Sequence, residues 1–260
     1  AAGGGGAGAG APGGGGAAAG AARVGAALGR VPLGPRRTAA AWPQLSQLQD
    51  LAIIRLPDVD PYSTEHLPSR QQCQAICSGL AGRNSLTWLE LEVAVWHQAE
   101  QQQRDAQTEG QLEHVELCAK LAGFTNLKAL CLQYSRLVPG DALALTALTG
   151  LTRLGLLDVG AGVGDVAATA KAGSCQQLGH LDLSSCDLGS MVCLAVVRRL
   201  TQLTELDLKG NSGLAQQGLM LLTRLTRLQR LEITPNPEVT DEVMHRFSAV
   251  WQQQQQQQRL

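Results

Sequence analysis

The sequence predicts an α/β solenoid, with short parallel strands on one side, helices on the other, and similar units stacked in a row. Three observations carry this. Leucine fills 42 of 260 positions, and 39 of those lie between Leu45 and Leu231. Rings are scarce, with four Trp, two Tyr and two Phe, so the core is aliphatic and built from small, similar pieces. Finally, a six-residue phrase recurs at a near-constant interval, which marks a repeat architecture.

The phrase is read at Leu154-Gly-Leu-Leu157-Asp-Val159, Leu178-Gly-His-Leu181-Asp-Leu183, Leu203-Thr-Glu-Leu206-Asp-Leu208 and Leu228-Gln-Arg-Leu231-Glu-Ile233, with starts 24, 25 and 25 residues apart. Leu127-Lys-Ala-Leu130-Cys-Leu132 precedes them by 27, and Leu86-Thr-Trp-Leu89-Glu-Leu91 lies 41 earlier. A weaker start is Leu48-Gln-Asp-Leu51-Ala-Ile53. The phrase resembles the leucine-rich repeat family, whose pattern is L-x-x-L-x-L-x-x-N/C. Cys186, Asn211 and Asn236 fit the ninth position, whereas Ser135 and Gly162 depart from it. The repeat length and Glu238-Val-Thr-Asp-Glu-Val resemble the cysteine-containing, ribonuclease-inhibitor-like style. The resemblance implies a curved horseshoe with strands on the concave face and helices on the convex one.

Physical chemistry agrees. Side chains alternate along a strand, so the leucines share one face. A single unit cannot bury that face, so units stack. Asp141, Asp165, Ser190 and Thr240 are good N-cap residues for the outer helices. Met191–Val197 is apolar throughout and is expected to pack on the strands. Arg198, Arg199, Arg224 and Arg227 fall near helix C-terminal ends, where cations complement the dipole. Trp42 at one end, and Phe247 with Trp251 at the other, are expected to close the core.

The solenoid is assigned to residues 41–251, with a Gln-rich insertion near 97–111. Residues 1–40 hold fourteen of the thirty glycines and read as a disordered Ala/Gly-rich tail. Residues 252–260 read as a disordered polyglutamine tail. Arg23, Arg30, Arg36 and Arg37 without any acid also suit a transit peptide. With no initiator Met, the sequence is compatible with a fragment.

A net charge of −1 argues against coating nucleic acid. No apolar run reaches eighteen residues, so no membrane helix is expected. Seven scattered cysteines and no N-x-Ser/Thr sequon favour a reducing, intracellular and cytoplasmic setting, with an organelle or cilium as alternatives. A monomer is expected.

A competing motif lies at residues 157–164, Leu-Asp-Val-Gly-Ala-Gly-Val-Gly. Gly160, Gly162 and Gly164 resemble the cofactor turn of class I S-adenosylmethionine-dependent methyltransferases, with Asp182 or Asp187 as the ribose acid that the resemblance implies. Rossmann strands are apolar on both faces. Here His180, Asp182, Ser184, Glu205, Asp207 and Lys209 alternate with leucines, which implies a wet face and favours the solenoid.

Cys73 with Cys77, and His114 with Cys118, have helical i, i+4 spacing that suits zinc. Cys73, Ile76, Cys77 and Leu80 equally form one apolar face, so buried thiols are expected and no metal or cofactor is assigned. His66, His97, His114, His180 and His245 are dispersed, and no catalytic triad emerges.

In the family, strand positions three, five and seven face the concave side. Here these are Trp88, Glu90, Glu92; Ala129, Cys131, Gln133; Leu156, Asp158, Gly160; His180, Asp182, Ser184; Glu205, Asp207, Lys209; and Arg230, Glu232, Thr234. Seven acids oppose two bases. Asp158, Asp182, Asp207 and Glu232 form a ladder at position five. Like charges ~5 Å apart repel by roughly 1–3 kcal/mol, so the ladder calls for solvent or a cationic partner. The expected function is a non-enzymatic module that binds a protein with a basic patch, with Trp88 and Arg230 as anchors. A ubiquitin-ligase substrate receptor of the F-box type and a cytoskeletal or ciliary scaffold are the alternatives.

Overall fold

The computed structural model describes residues 48–54, 70–82, 84–92, 117–133, 141–159, 174–189 and 191–257. Seven strands form one sheet: β1 (Asp50–Ile53), β2 (Trp88–Glu92), β3 (Ala129–Gln133), β4 (Arg153–Leu157), β5 (His180–Asp182), β6 (Glu205–Asp207) and β7 (Arg230–Glu232). They are hydrogen-bonded in chain order, and every neighbouring pair is parallel. The order never reverses, so this sheet lacks the switch-point crevice in which a Rossmann sheet holds its cofactor. The glycine stretch at Gly160, Gly162 and Gly164 lies outside the described residues.

Three stacks of leucine make the interior. Leu86, Leu127, Leu151, Leu178, Leu203 and Leu228 form the first, each at most 2 % exposed. Leu51, Leu89, Leu130, Leu154, Leu181 and Leu206 stand in register as the second. Leu91, Leu132, Leu156, Leu183 and Leu208 form the third. Helices α1 (Arg70–Leu80), α2 (Met191–Val197), α3 (Gln216–Leu221) and α4 (Asp241–Gln257) and a 3₁₀ helix (Asp141–Ala147) follow the strands. Cys73, Leu145, Leu194, Leu219 and Phe247 from these elements join the leucines in one core. One face of the sheet is therefore covered and the other is open.

The threonine after the first leucine of a unit acts as a staple. Thr87, Thr152 and Thr204 donate their hydroxyls to the carbonyls of Gln49, Lys128 and Gly179 in the preceding unit, at 3.3, 3.0 and 2.9 Å. The backbone repeats the link. Thr204 N and Glu205 N both donate to Gly179 O, and Gln229 N and Arg230 N both donate to Thr204 O.

One repeat frame needs correction. Leu154 pairs with Leu130 and Leu181, so this unit starts at Leu151 and not at Leu154. The starts are therefore Leu127, Leu151, Leu178, Leu203 and Leu228. The two frames differ by three residues, and an odd slip sends every side chain to the opposite face. The observed frame buries Leu151, Leu154, Leu156 and Val159, all at 2 % exposure or less. Val159, not Gly162, is the ninth residue.

The other expected elements divide. The segment at Asp141 is 3₁₀ rather than α-helical. Thr240 caps α4, its Oγ1 accepting from Val243 N at 3.4 Å, with Asp241 and Glu242 in the first turn. Asp165 and Ser190 lie outside the described residues, as does Trp42. Cys193, Leu194 and Val197 of α2 are buried, but Met191 and Val192 are 44 % and 57 % exposed. Phe247 is buried and stacks on Trp251 with centroids 6.1 Å apart, closing the C-terminal side of the core. Helix α4 runs on through Gln252 to Gln257, where a disordered tail was expected. Glutamine is a good helix former, so a capped and packed helix propagates into it.

Gly213 marks a close approach between units, because a Cβ there would sit 2.7 Å from the Gly189 Cα.

Candidate functional site

The open face of the sheet is the candidate site. Two columns of side chains cross it in register. The first is Asp50, Trp88, Ala129, Arg153, His180, Glu205 and Arg230. The second is Ala52, Glu90, Cys131, Gly155, Asp182, Asp207 and Glu232. Most of the expected residues stand here, on strands, which hold them more rigidly than loops do.

Asp158 is the main correction. It lies beyond the end of β4, exposed, with φ 48° and its N–H bonded to Ser184 O. The frame at Leu151 puts Gly155 at position five instead. The acidic ladder is thus Asp182, Asp207 and Glu232. Leu156 likewise points into the core, and Arg153 and Leu157 take the places assigned to Leu156 and Gly160. Glu92 is the second correction. Alternation fails at the end of β2, where Leu91 and Glu92 are both buried and Glu92 is only 6 % exposed.

On β5–β7 four carboxylates face His180, Lys209 and Arg230. His180 Nδ1 lies 2.9 Å from Glu205 Oε2. Lys209 Nζ bridges Asp207 at 3.1 Å and Glu232 at 2.5 Å, and Arg230 also pairs with Glu232. These contacts hold the Glu232 carboxyl below its ordinary range, chiefly through Lys209, and raise the Lys209 ammonium, chiefly through Glu232. Asp182 accepts from the Ser184 N–H at 3.0 Å and from its hydroxyl. Asp207 accepts from the Lys209 N–H at 2.9 Å. Each aspartate so caps its strand end as an Asx turn does. A depression of about 220 Å³ opens here, lined by Asp182, Glu205, Asp207 and Glu232 with His180 and Arg230.

The face over β2–β4 differs. Arg153 lies over the Trp88 ring, its guanidinium carbon 5.7 Å from the centroid, within cation–π range. Trp88 and Arg153 are two strands apart, and nearly buried Ala129 between them offers only a methyl group. Gln133 donates to Glu90 at 3.0 Å. Burial pushes the Cys131 thiol up to about 12, which disfavours its thiolate at neutral pH. Arg153 is absent from the sequence-based site. The clue was the Leu-Thr opening of Leu151-Thr152, shared with Leu86-Thr87 and Leu203-Thr204.

The ninth-position residues are structural. Asn211, 2 % exposed, donates to Leu183 O and Leu208 O and accepts from the N–H groups of Cys186 and Leu188. Cys186 Sγ donates to Leu156 O. Asn236 accepts from Glu238 N and Val239 N in its own loop and donates to Leu214 O of the preceding unit at 3.0 Å. Cys73, Cys77 and Cys118 are buried, and burial lifts the Cys77 thiol to about 12. His114 lies outside the described residues, and among these no group of three or more His, Cys, Asp or Glu could hold a metal ion. Among them, too, no helix is long and apolar enough to cross a membrane.

No family model and no curated protein matches this chain. Solved structures do. The tropomodulin C-terminal domain of Caenorhabditis elegans is 17 % identical with a TM-score of 0.44, the match covering 56 % of this chain and 95 % of that domain. The Arabidopsis receptor kinase HAESA, solved with the peptide hormone IDA and the co-receptor SERK1, is 17 % identical at 0.38, covering 63 % and 23 %. An internalin of Listeria monocytogenes is 16 % identical at 0.36, covering 76 % and 65 %. This chain spans less than two thirds of the latter two. By its own strand order, register and leucine stacks, the chain folds as a leucine-rich-repeat solenoid.

Proposed function

We propose that the chain is a non-enzymatic protein-interaction module whose open sheet face binds a partner carrying a basic patch. The observation that carries this is the group Asp182, Glu205, Asp207 and Glu232 around one depression, with Lys209 and Arg230 as the cations bound to them among the described residues. With His180 neutral this patch has a net charge of −2. Lys209 and Arg230 both contact Glu232, which leaves Asp182 and Glu205 without a Lys or Arg partner among the described residues. A rigid sheet presents these groups with little ordering cost on binding. The Cys186 bond to Leu156 O supports the cysteine-containing style of repeat. Ligase-receptor and scaffold roles would both use the same face.

The test uses carboxamides, because Asp182→Asn and Asp207→Asn keep the oxygen that caps the strand end. A fluorescein-labelled Gly/Ser dodecapeptide bearing two lysines is titrated by anisotropy into the chain. Asp182→Asn/Glu205→Gln/Asp207→Asn/Glu232→Gln should weaken binding at least about tenfold, and added salt should weaken the parent in the same way. Equal, salt-insensitive binding by both proteins would remove the acidic face from consideration.

A further inference from the structure

We propose that Arg153 and Trp88 form an anion anchor on the same face. The occupant is then an extended peptide segment with a carboxylate three or four residues from its basic side chain. Only the basic end of that segment rests on the acidic-face reading above.

Among the described residues three cations stand on the open face: Arg153, Lys209 and Arg230. Lys209 and Arg230 are bound to carboxylates. Arg153 is exposed and has no hydrogen-bond or carboxylate partner among the described residues, its contact being the Trp88 ring. A cation–π contact restrains the guanidinium against the ring and uses none of its N–H fork. That fork matches a carboxylate bidentately. The ordering of a long side chain, usually a cost of recruiting an arginine, is met before the ligand arrives.

The surroundings suit an extended backbone. Ala129 and Gly155 keep the floor low between Arg153 and its neighbours. A Cβ at Gly155 would lie 3.0 Å from Cys131 Sγ and from Leu157 Cδ1, so a larger residue would need these side chains to give way. The guanidinium reaches back across β3, while the acidic depression spans β5–β7. Two to three strand spacings separate them, about 10–14 Å, which an extended peptide crosses in three or four residues.

Four labelled dodecapeptides on a Gly/Ser host test this by anisotropy with the full chain: Lys only, Glu only, and Glu with Lys four residues apart in either order. One of the mixed peptides should bind about tenfold tighter than the Lys-only peptide. Arg153→Ala and Trp88→Leu should erase that gain and leave Lys-only binding within about twofold. Arg153→Lys should lose most of it, because charge without the fork is not enough. Arg153 is exposed, so its variants should fold, as an unchanged circular dichroism melt would verify. No gain in either order, or a gain that survives Arg153→Ala, overturns the anchor. If the Lys-only peptide fails while Glu-only binding depends on Arg153, the acidic-face reading falls and the anchor stands.

Discussion

The two halves of the sheet solve one geometry differently. Strands β2–β4 are five residues long, whereas β5–β7 are three. For β5 and β6 the difference sits at position five. Asp182 and Asp207 turn their carboxylates onto the backbone N–H two residues ahead and end the strand there. Glu90, Cys131 and Gly155 in the earlier strands make no such bond in the structure, and those strands run on to position seven. The loop is then held from below by Cys186 and Asn211. A side chain read first as part of a charge pattern is thus also a piece of local architecture. Asp182 and Asp207 thus gain a backbone bond that offsets part of their repulsion.

The largest expected effect is at Asn211. Asn211→Ala leaves buried carbonyls and N–H groups of two units without partners, and each such group costs about 1–3 kcal/mol. A loss of about 3 kcal/mol in urea denaturation is expected. A loss under about 1 would mean that the later half does not depend on this loop. Gly213→Ala comes next, at about 1–3 kcal/mol, because the added methyl would press on the Gly189 backbone. The Asx account is sharper still at Asp207. Asp207→Ala should cost about 1 kcal/mol and Asp207→Asn less, since the amide oxygen still accepts the Lys209 N–H. If both cost the same, charge rather than capping governs the site.

The smallest effect is that of pH. The Glu232 carboxyl is lowered in the folded chain, so its stabilising contribution is complete above the ordinary value of 4.5. It fades as pH falls through the lower folded value. The raised Lys209 behaves oppositely, losing its contribution as pH climbs through its folded value above 10.5. Lys209 is exposed and Glu232 half-buried at the open face, so the acid-side change should be slight, smaller still in Lys209→Met, where Arg230 remains, and suppressed by salt.

The repeat and its leucine stacks were legible because they depend on periodicity alone. The frame at Leu151 was not, because Leu151, Leu154, Leu156, Leu157 and Val159 satisfy the phrase in two ways. Only pairing with Leu130 and Leu181 selects one. Arg153 was missed with it. Where Asp follows Leu in an unambiguous frame, as at Leu181-Asp182 and Leu206-Asp207, the position on the strand follows from the phrase alone. The helical glutamines were missed for another reason. Composition carries no information about whether a capped helix arrives from upstream.

The backbone links between units, such as Lys128 N and Ala129 N to Thr87 O, imply something about growth of the chain over time. β2 and β3 are separated by a segment half again as long as a whole 24-residue unit, yet Trp88 and Ala129 meet without slip. Register is fixed by hydrogen bonds between strands, and doubling a loop adds only about 0.6 kcal/mol of closure entropy. The sheet therefore works as a ruler with its marks about 4.8 Å apart, indifferent to what is spliced between them. Sequence can be inserted, lost or exchanged between β2 and β3 while the spacing from Trp88 to Arg153, and on to Glu232, stays unchanged.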